Sequence, residues 1–84
     1  MRIAVIDNDS FSLARSCEVI RKVRSTDQVY SFDEGLKLLE FIIENPCEVI
    51  FMDPCLKDID GGILAEEIKE ILPQVNIVFH TEHD

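Results

Sequence analysis

Apolar runs and periodic stretches alternate along the chain. Arg2-Ile3-Ala4-Val5-Ile6 is a short run rich in β-formers that stops at Asp7-Asn8-Asp9-Ser10. It predicts a buried first strand, with Asp9 or Ser10 as the N-cap of the next segment. From Phe11 to Arg24, Leu13, Ala14, Cys17, Ile20 and Val23 recur at three- and four-residue steps. Arg15, Arg21, Lys22 and Arg24 fill the other face, so the segment predicts an amphipathic helix with cations gathered at its C-terminal end. Gln28-Val29-Tyr30 predicts a short second strand. Ser31-Phe32-Asp33-Glu34 matches a capping box, with Ser31 at the cap and Glu34 three residues on. Leu36, Leu38, Leu39, Phe41, Ile42 and Ile43 predict a second helix, apolar on most of its circumference and ended by Asn45-Pro46. Glu48 to Met52 predicts a third strand buried on both faces. A third helix is expected from about Gly62 to Leu72, stopped by Pro73, and a fourth strand over Asn76-Ile77-Val78-Phe79-His80.

The order βαβαβαβ implies parallel strands joined by right-handed crossovers. The fold class expected is α/β, a doubly wound parallel sheet in the flavodoxin-like order 2-1-3-4, incomplete in strand number. Length sets the frame for this: 84 residues make one small domain, 1–84. Such a chain buries only roughly 60–65% of its unfolded surface. At 46% hydrophobic and 30% charged, the composition is that of a globular protein and not of a disordered one.

Seventeen acidic residues against eight basic ones give a net charge of −9. Phosphate backbones and anionic lipids repel such a chain, so neither a nucleic-acid contact nor a membrane surface is expected. Cys17, Cys47 and Cys55 are odd in number and form no metal-knuckle pattern, which suits free thiols in a reducing cytoplasm. Cys47 and Cys55 flank the third strand, and eight residues of strand span about 26 Å, too far to pair. Met1-Arg2 leads directly into a run too short for a signal peptide or a membrane span, so the chain is read as cytoplasmic.

Strands one, three and four end on residues with chemistry: Asp7, Asp53 and Thr81. A parallel sheet brings these ends to one edge, and the 2-1-3-4 order places Asp7 and Asp53 across the switch point. Two neighbouring carboxylates call for a cation, and hard oxygen ligands suit Mg²⁺. The N-terminus of the first helix adds amide groups suited to phosphate. A carboxylate here can act as a nucleophile and form an aspartyl phosphate. Each residue alone has a plainer reading: Asp7 and Asp9 as helix caps, Asp53 before Pro54 and Asp60-Gly61 as turn formers, Thr81 as a solvated strand end. Convergence at one sheet edge is what favours chemistry.

These residues resemble the receiver domain of two-component response regulators. Ile6-Asp7-Asn8-Asp9 resembles the family's acidic pocket, Asp53 to Gly61 its phosphoacceptor loop, and Phe79-His80-Thr81 its fourth-strand end with the switch hydroxyl. Ile63-Leu64-Ala65-Glu66-Glu67-Ile68 and Ile77-Val78-Phe79 are similar to the subgroup carrying a LytTR-type DNA-binding domain. The resemblance implies that Asp53 accepts a phosphoryl group from a histidine kinase. It implies Mg²⁺ held by Asp7, Asn8, Asp53 and the backbone carbonyl of Cys55, and Thr81 contacting the phosphoryl group. It also implies an output domain, DNA-binding in the LytTR-type case, outside these residues, and no enzyme activity of the module's own.

The chain departs from the family pattern in several places. Asn8 stands where a second carboxylate is usual, which lowers the expected metal affinity. Pro54 removes the amide directly after the nucleophile, and Lys57 takes a usual Pro position. The family's fifth strand, with its phosphate-contacting Lys, lies beyond the match. An exposed fourth strand is expected either to belong to a longer protein or to be buried in a homodimer or swapped dimer. Three rival readings remain. One is a degenerate receiver that serves as an interaction or dimerisation module without phosphorylation. Another is a haloacid-dehalogenase-like phosphatase on Asp7-Asn8-Asp9, which leaves the Asp53-to-Gly61 spacing unexplained. The last is a metal site from Cys55, His80 and His83, which no ligand motif supports.

Overall fold

A computed structural model describes residues 1–80. The elements run β1 (Arg2–Ile6), α1 (Ser10–Val23), β2 (Gln28–Phe32), α2 (Gly35–Glu44), β3 (Val49–Met52), α3 (Gly61–Ile71) and β4 (Asn76–Phe79). The four strands form one parallel sheet in the order β2-β1-β3-β4, as the alternation of elements predicts. Ile6 pairs with Met52, and Met52 with Phe79, so β1, β3 and β4 finish level with one another.

The core lies between the sheet and α2 with α3. Ala4 and Ile6 of β1 and Ile50 and Met52 of β3 meet Leu38, Ile42, Leu64 and Ile68 there, all fully buried. Alternate strand residues face α1, as the two-residue period of a strand requires. On that side β1 is closed, while Val49 and Phe51 of β3 are only half-covered. They line an open apolar groove with Ile3, Val19, Ile20 and Val23. The expected two-faced burial of the third strand therefore holds on the α2–α3 side alone.

Helix α1 is capped by Asp9, whose Oδ1 accepts from the Phe11 amide at 3.2 Å. Its buried residues are Ser12 and Cys17, while Ala14 and Val23, expected inward, are exposed. Arg15, Arg21, Lys22 and Arg24 all lie on the exposed surface.

The capping box expected at Ser31 is absent. Strand β2 runs two residues further than predicted, pairing Ser31 with Val5 and Phe32 with Ile6, so the Ser31 backbone belongs to the sheet ladder. Glu34, expected at the third helical position, is itself the N-cap of α2 and makes no side-chain cap bond. The first two amides of α2 are held from elsewhere, by Asp58. Asp60 caps α3 by accepting from Gly62 and Ile63, so Asp60-Gly61 begins a helix and is not a free turn. A Cβ at Gly61 would lie 2.7 Å from the Pro54 carbonyl oxygen, and this close approach is what demands glycine there.

Candidate functional site

The sheet ladder sets the site. The Asp7 amide donates to the Phe32 carbonyl at 3.1 Å, and the Asp53 amide donates to the Ile6 carbonyl at 3.0 Å. These bonds continue the strand pairing one residue past β1 and β3. Asp7 and Asp53 thus occupy neighbouring positions at the C-terminal edge of the sheet, where an open α/β fold places its ligands.

Both carboxylates are buried: Asp7 is 0% exposed and Asp53 8%. Asp7 Oδ1 accepts from the Asp9 amide at 2.9 Å, while Asp7 Oδ2 is buried with no hydrogen-bond partner among the described residues. Burial foremost pushes the Asp7 carboxyl above its usual range. Repulsion from Asp53 adds to this, while the Asp9 amide and His80 act against it. Asp53 Oδ1 accepts from the Cys55 amide at 2.8 Å. Pro54 has no amide to offer, so the Cys55 amide is the first in the loop that can reach the carboxylate.

A buried carboxylate oxygen without a donor, next to a second carboxylate, is the electrostatic setting that a hard cation relieves. Asp7, Asp53, the Asn8 side-chain oxygen and the Cys55 carbonyl are all hard oxygen donors, the kind of ligand that Mg²⁺ takes. Among the described residues no three His, Cys, Asp or Glu side chains are grouped to hold a metal. A cation here must therefore draw on carboxamide and backbone oxygen besides the two carboxylates.

Asn8 is half-buried and lines a polar cleft with Asp33, Glu34, Lys57 and Asp58. Asp9 is committed to capping α1 and is not part of the pair. Cys55 is exposed, and its thiol is free, as are those of buried Cys17 and Cys47. Thr81 lies outside the described residues, as does His83 of the alternative metal site from Cys55, His80 and His83. His80 continues β4 through its amide, which donates to the Met52 carbonyl at 2.9 Å, and its Nε2 is buried without a partner among the described residues.

Two features have no signature in the sequence. Asp58 reaches α2 across the loop, which local patterns cannot show because its partners lie 22 and 23 positions away. The field of His80 on Asp7 depends on strand register rather than on any motif.

Residues 3–84 match the family model described as the response regulator receiver domain. The chain is 27% identical over 81 residues to the transcriptional regulatory protein YpdB of Escherichia coli (strain K12), covering 96% of this chain and 33% of that protein. It thus spans about a third of the length of the curated relatives it matches. The isolated REC domain of RcsB from Salmonella enterica serovar Typhimurium, solved with phosphomimetic BeF3−, superimposes with a TM-score of 0.86 at 18% identity. That match covers 100% of this chain and 63% of the other. A structure of the histidine kinase ThkA in complex with response regulator protein TrrA matches with a TM-score of 0.82 at 18% identity, covering 99% and 74% of the two chains.

Proposed function

Because the chain belongs to the response regulator receiver family, we propose that it is the phosphorylation switch of a two-component system and that Asp53 is its phosphoacceptor. The observation that carries this is the buried pair Asp7 and Asp53 at the level ends of β1 and β3, with Asp7 Oδ2 unpartnered among the described residues. A receiver domain is a signalling module rather than an enzyme in general, and the donor is a phosphohistidine on a kinase.

In the proposed step a carboxylate oxygen of Asp53 forms a bond to phosphorus as the P–N bond of the phosphohistidine breaks. The bonding pair leaves with the imidazole nitrogen. The Cys55 amide holds Asp53 Oδ1 and leaves Oδ2 to attack, since that oxygen has no hydrogen bond among the described residues. Burial of Asp53 limits water at the acyl phosphate. Mg²⁺, when bound, neutralises charge on the transferring phosphoryl oxygens. Asp7, Asn8, Asp53 and the Cys55 carbonyl would hold it, and Thr81 would contact the phosphoryl group.

The partners follow from the same reading: a histidine kinase, and an output domain outside residues 1–84, DNA-binding in kind as the name of the E. coli relative suggests. At a net charge of −9 the receiver itself makes no direct nucleic-acid contact. No helix among the described residues is long and apolar enough to cross a membrane, and a cytoplasmic setting fits the role.

Intact-mass measurement after incubation with acetyl phosphate and Mg²⁺ tests the proposal. Wild-type protein should gain the mass of one phosphoryl group, and Asp53→Asn should gain none. Equal labelling of the two proteins, or none in the wild type, would overturn the assignment.

A further inference from the structure

The loop between β3 and α3 carries Asp53 at one end and Asp60 at the other, and most of it is exposed. Pro54, Cys55, Lys57 and Asp58 face solvent, and only Leu56 and Ile59 are half-buried. Backbone bonds of the sheet end with the Asp53 amide. What fixes the loop beyond that point is a set of side-chain ties, and the longest of them belongs to Asp58.

Asp58 Oδ1 accepts from the Gly35 amide and Oδ2 from the Leu36 amide, each at 3.0 Å. These are two of the donors that a helix start leaves unpaired, and Glu34 at the N-cap position does not serve them. A carboxylate bridging two amides at the positive end of a helix is a charge-assisted contact of the stronger kind. Next to it, Ile59 packs so closely that a Cβ at Gly35 would lie 2.4 Å from its Cγ2. Loop and helix start are therefore one packed unit.

The segment that Asp58 grips is also bonded to the backbone of Asp7. The Phe32 carbonyl holds the Asp7 amide, and α2 begins three residues later at Gly35. Phe32 to Leu36 is thus anchored to Asp7 at one end and to Asp58 at the other. Asp58 ties the loop bearing Asp53 and Cys55 to the strand end that holds Asp7.

We propose that Asp58 is a positioning residue for the Asp53 site, holding the Asp53–Cys55 turn in place by pinning the loop to the start of α2. The proposal rests on the reading of Asp53 as the phosphoacceptor. Through Asp58 the Cys55 amide stays on Asp53. The side chain touches neither the phosphoryl donor nor the reacting atoms.

Amide hydrogen exchange followed by NMR reads the turn directly, with or without phosphorylation. In Asp58→Ala the Gly35 and Leu36 amides lose their acceptor and exchange faster. Positioning requires that the Cys55 amide also exchange faster, by about tenfold for the loss of one such constraint. Asp58→Asn keeps acceptor capacity without the charge and should fall between the two. A double variant, Asp58→Ala with Glu34→Asp, separates the roles by giving α2 a local cap. Cys55 exchange should stay fast in it, and acetyl-phosphate labelling should stay slow.

An unchanged Cys55 rate in Asp58→Ala would overturn the proposal, as would its recovery on adding Glu34→Asp, since Asp58 would then be a helix cap only. Failure of the phosphoacceptor reading looks different. Asp53→Asn would then label like wild type, or wild type would not label, while Cys55 exchange would still decide the role of Asp58.

Discussion

At the scale of single residues, the two carboxylates are the clearest case of chemistry visible in a sequence. Each ends an apolar run, and a run buried in a parallel sheet has only one place to end. Asp7 is buried, with one oxygen unpartnered among the described residues and its carboxyl pushed above the usual range, chiefly by burial. Asp7→Asn should therefore stabilise the metal-free protein, by about 1–3 kcal/mol if the burial penalty is that of one unsatisfied polar group. The same substitution should remove most of the stabilisation that Mg²⁺ gives to wild type. Thermal melts of both proteins with and without Mg²⁺ check the two halves together, and a lower melting temperature for metal-free Asp7→Asn would contradict the account. Gly61 shows the opposite case. Asp60-Gly61 reads as a turn, yet no glycine in the described chain has a positive φ, and Gly61 is needed for its lack of a side chain against Pro54. Nothing local records that approach, because Pro54 meets Gly61 only once the loop has folded.

At the scale of elements, hydrophobic periodicity locates every strand and helix, whereas the start of α2 departs from its local pattern. Ser31 and Glu34 have the right spacing for a capping box, but strand pairing with β1 claims Ser31 first. A ladder bond and a half-buried Phe32 outweigh a cap that Asp58 can replace from across the loop. That replacement makes the element sensitive to acid. The amides of Gly35 first, and then of Leu36, hold the Asp58 carboxyl below the usual range against some opposing burial. A hydrogen bond from the N-terminal ammonium of Met1, helped by Arg24, does the same for Asp27 beside β2. For both, the folded chain binds fewer protons than the unfolded chain in acid. The stability they add is complete above about pH 4 and is lost as pH falls through their lowered values. Asp7 has the opposite sign and costs stability as pH rises through its raised value. Melts recorded as a function of pH should show a steep acid limb below about pH 4, and Asp58→Asn should flatten it. An unchanged limb in that variant would mean that other carboxylates govern acid unfolding.

At the scale of the whole molecule, strand order is legible because alternating strands and helices leave few topologies, and level strand ends follow from register. The coverage of the sheet is less legible, since half-covered Val49 and Phe51 have the same sequence signature as buried residues. On β4, an edge strand of the described sheet, Val78 and Phe79 are 42% and 50% exposed. Such an edge pairs with a strand that reaches it. The 84-residue chain should therefore associate with itself through β4 as its concentration rises. Val78→Lys should hold it monomeric without lowering its melting temperature, and sedimentation velocity across a dilution series would show this. A wild type that stays monomeric throughout would exclude the β4 contact. The two faces of the sheet also differ in charge. Four of the eight cations lie between Ser10 and Arg24 with Glu18 as the single acid there, while the other sixteen acids lie elsewhere in the chain. Because α1 is the one helix of the described residues on its side of the sheet, residues 1–80 carry an electric dipole on top of their net negative charge. An approaching partner with an acidic face is turned toward α1 before any contact forms, and one with a basic face is turned toward α2 and α3. At about 0.1 M ionic strength dissolved salt screens that torque beyond about 10 Å from the surface, so the orientation of first encounter, and not only its frequency, depends on ionic strength.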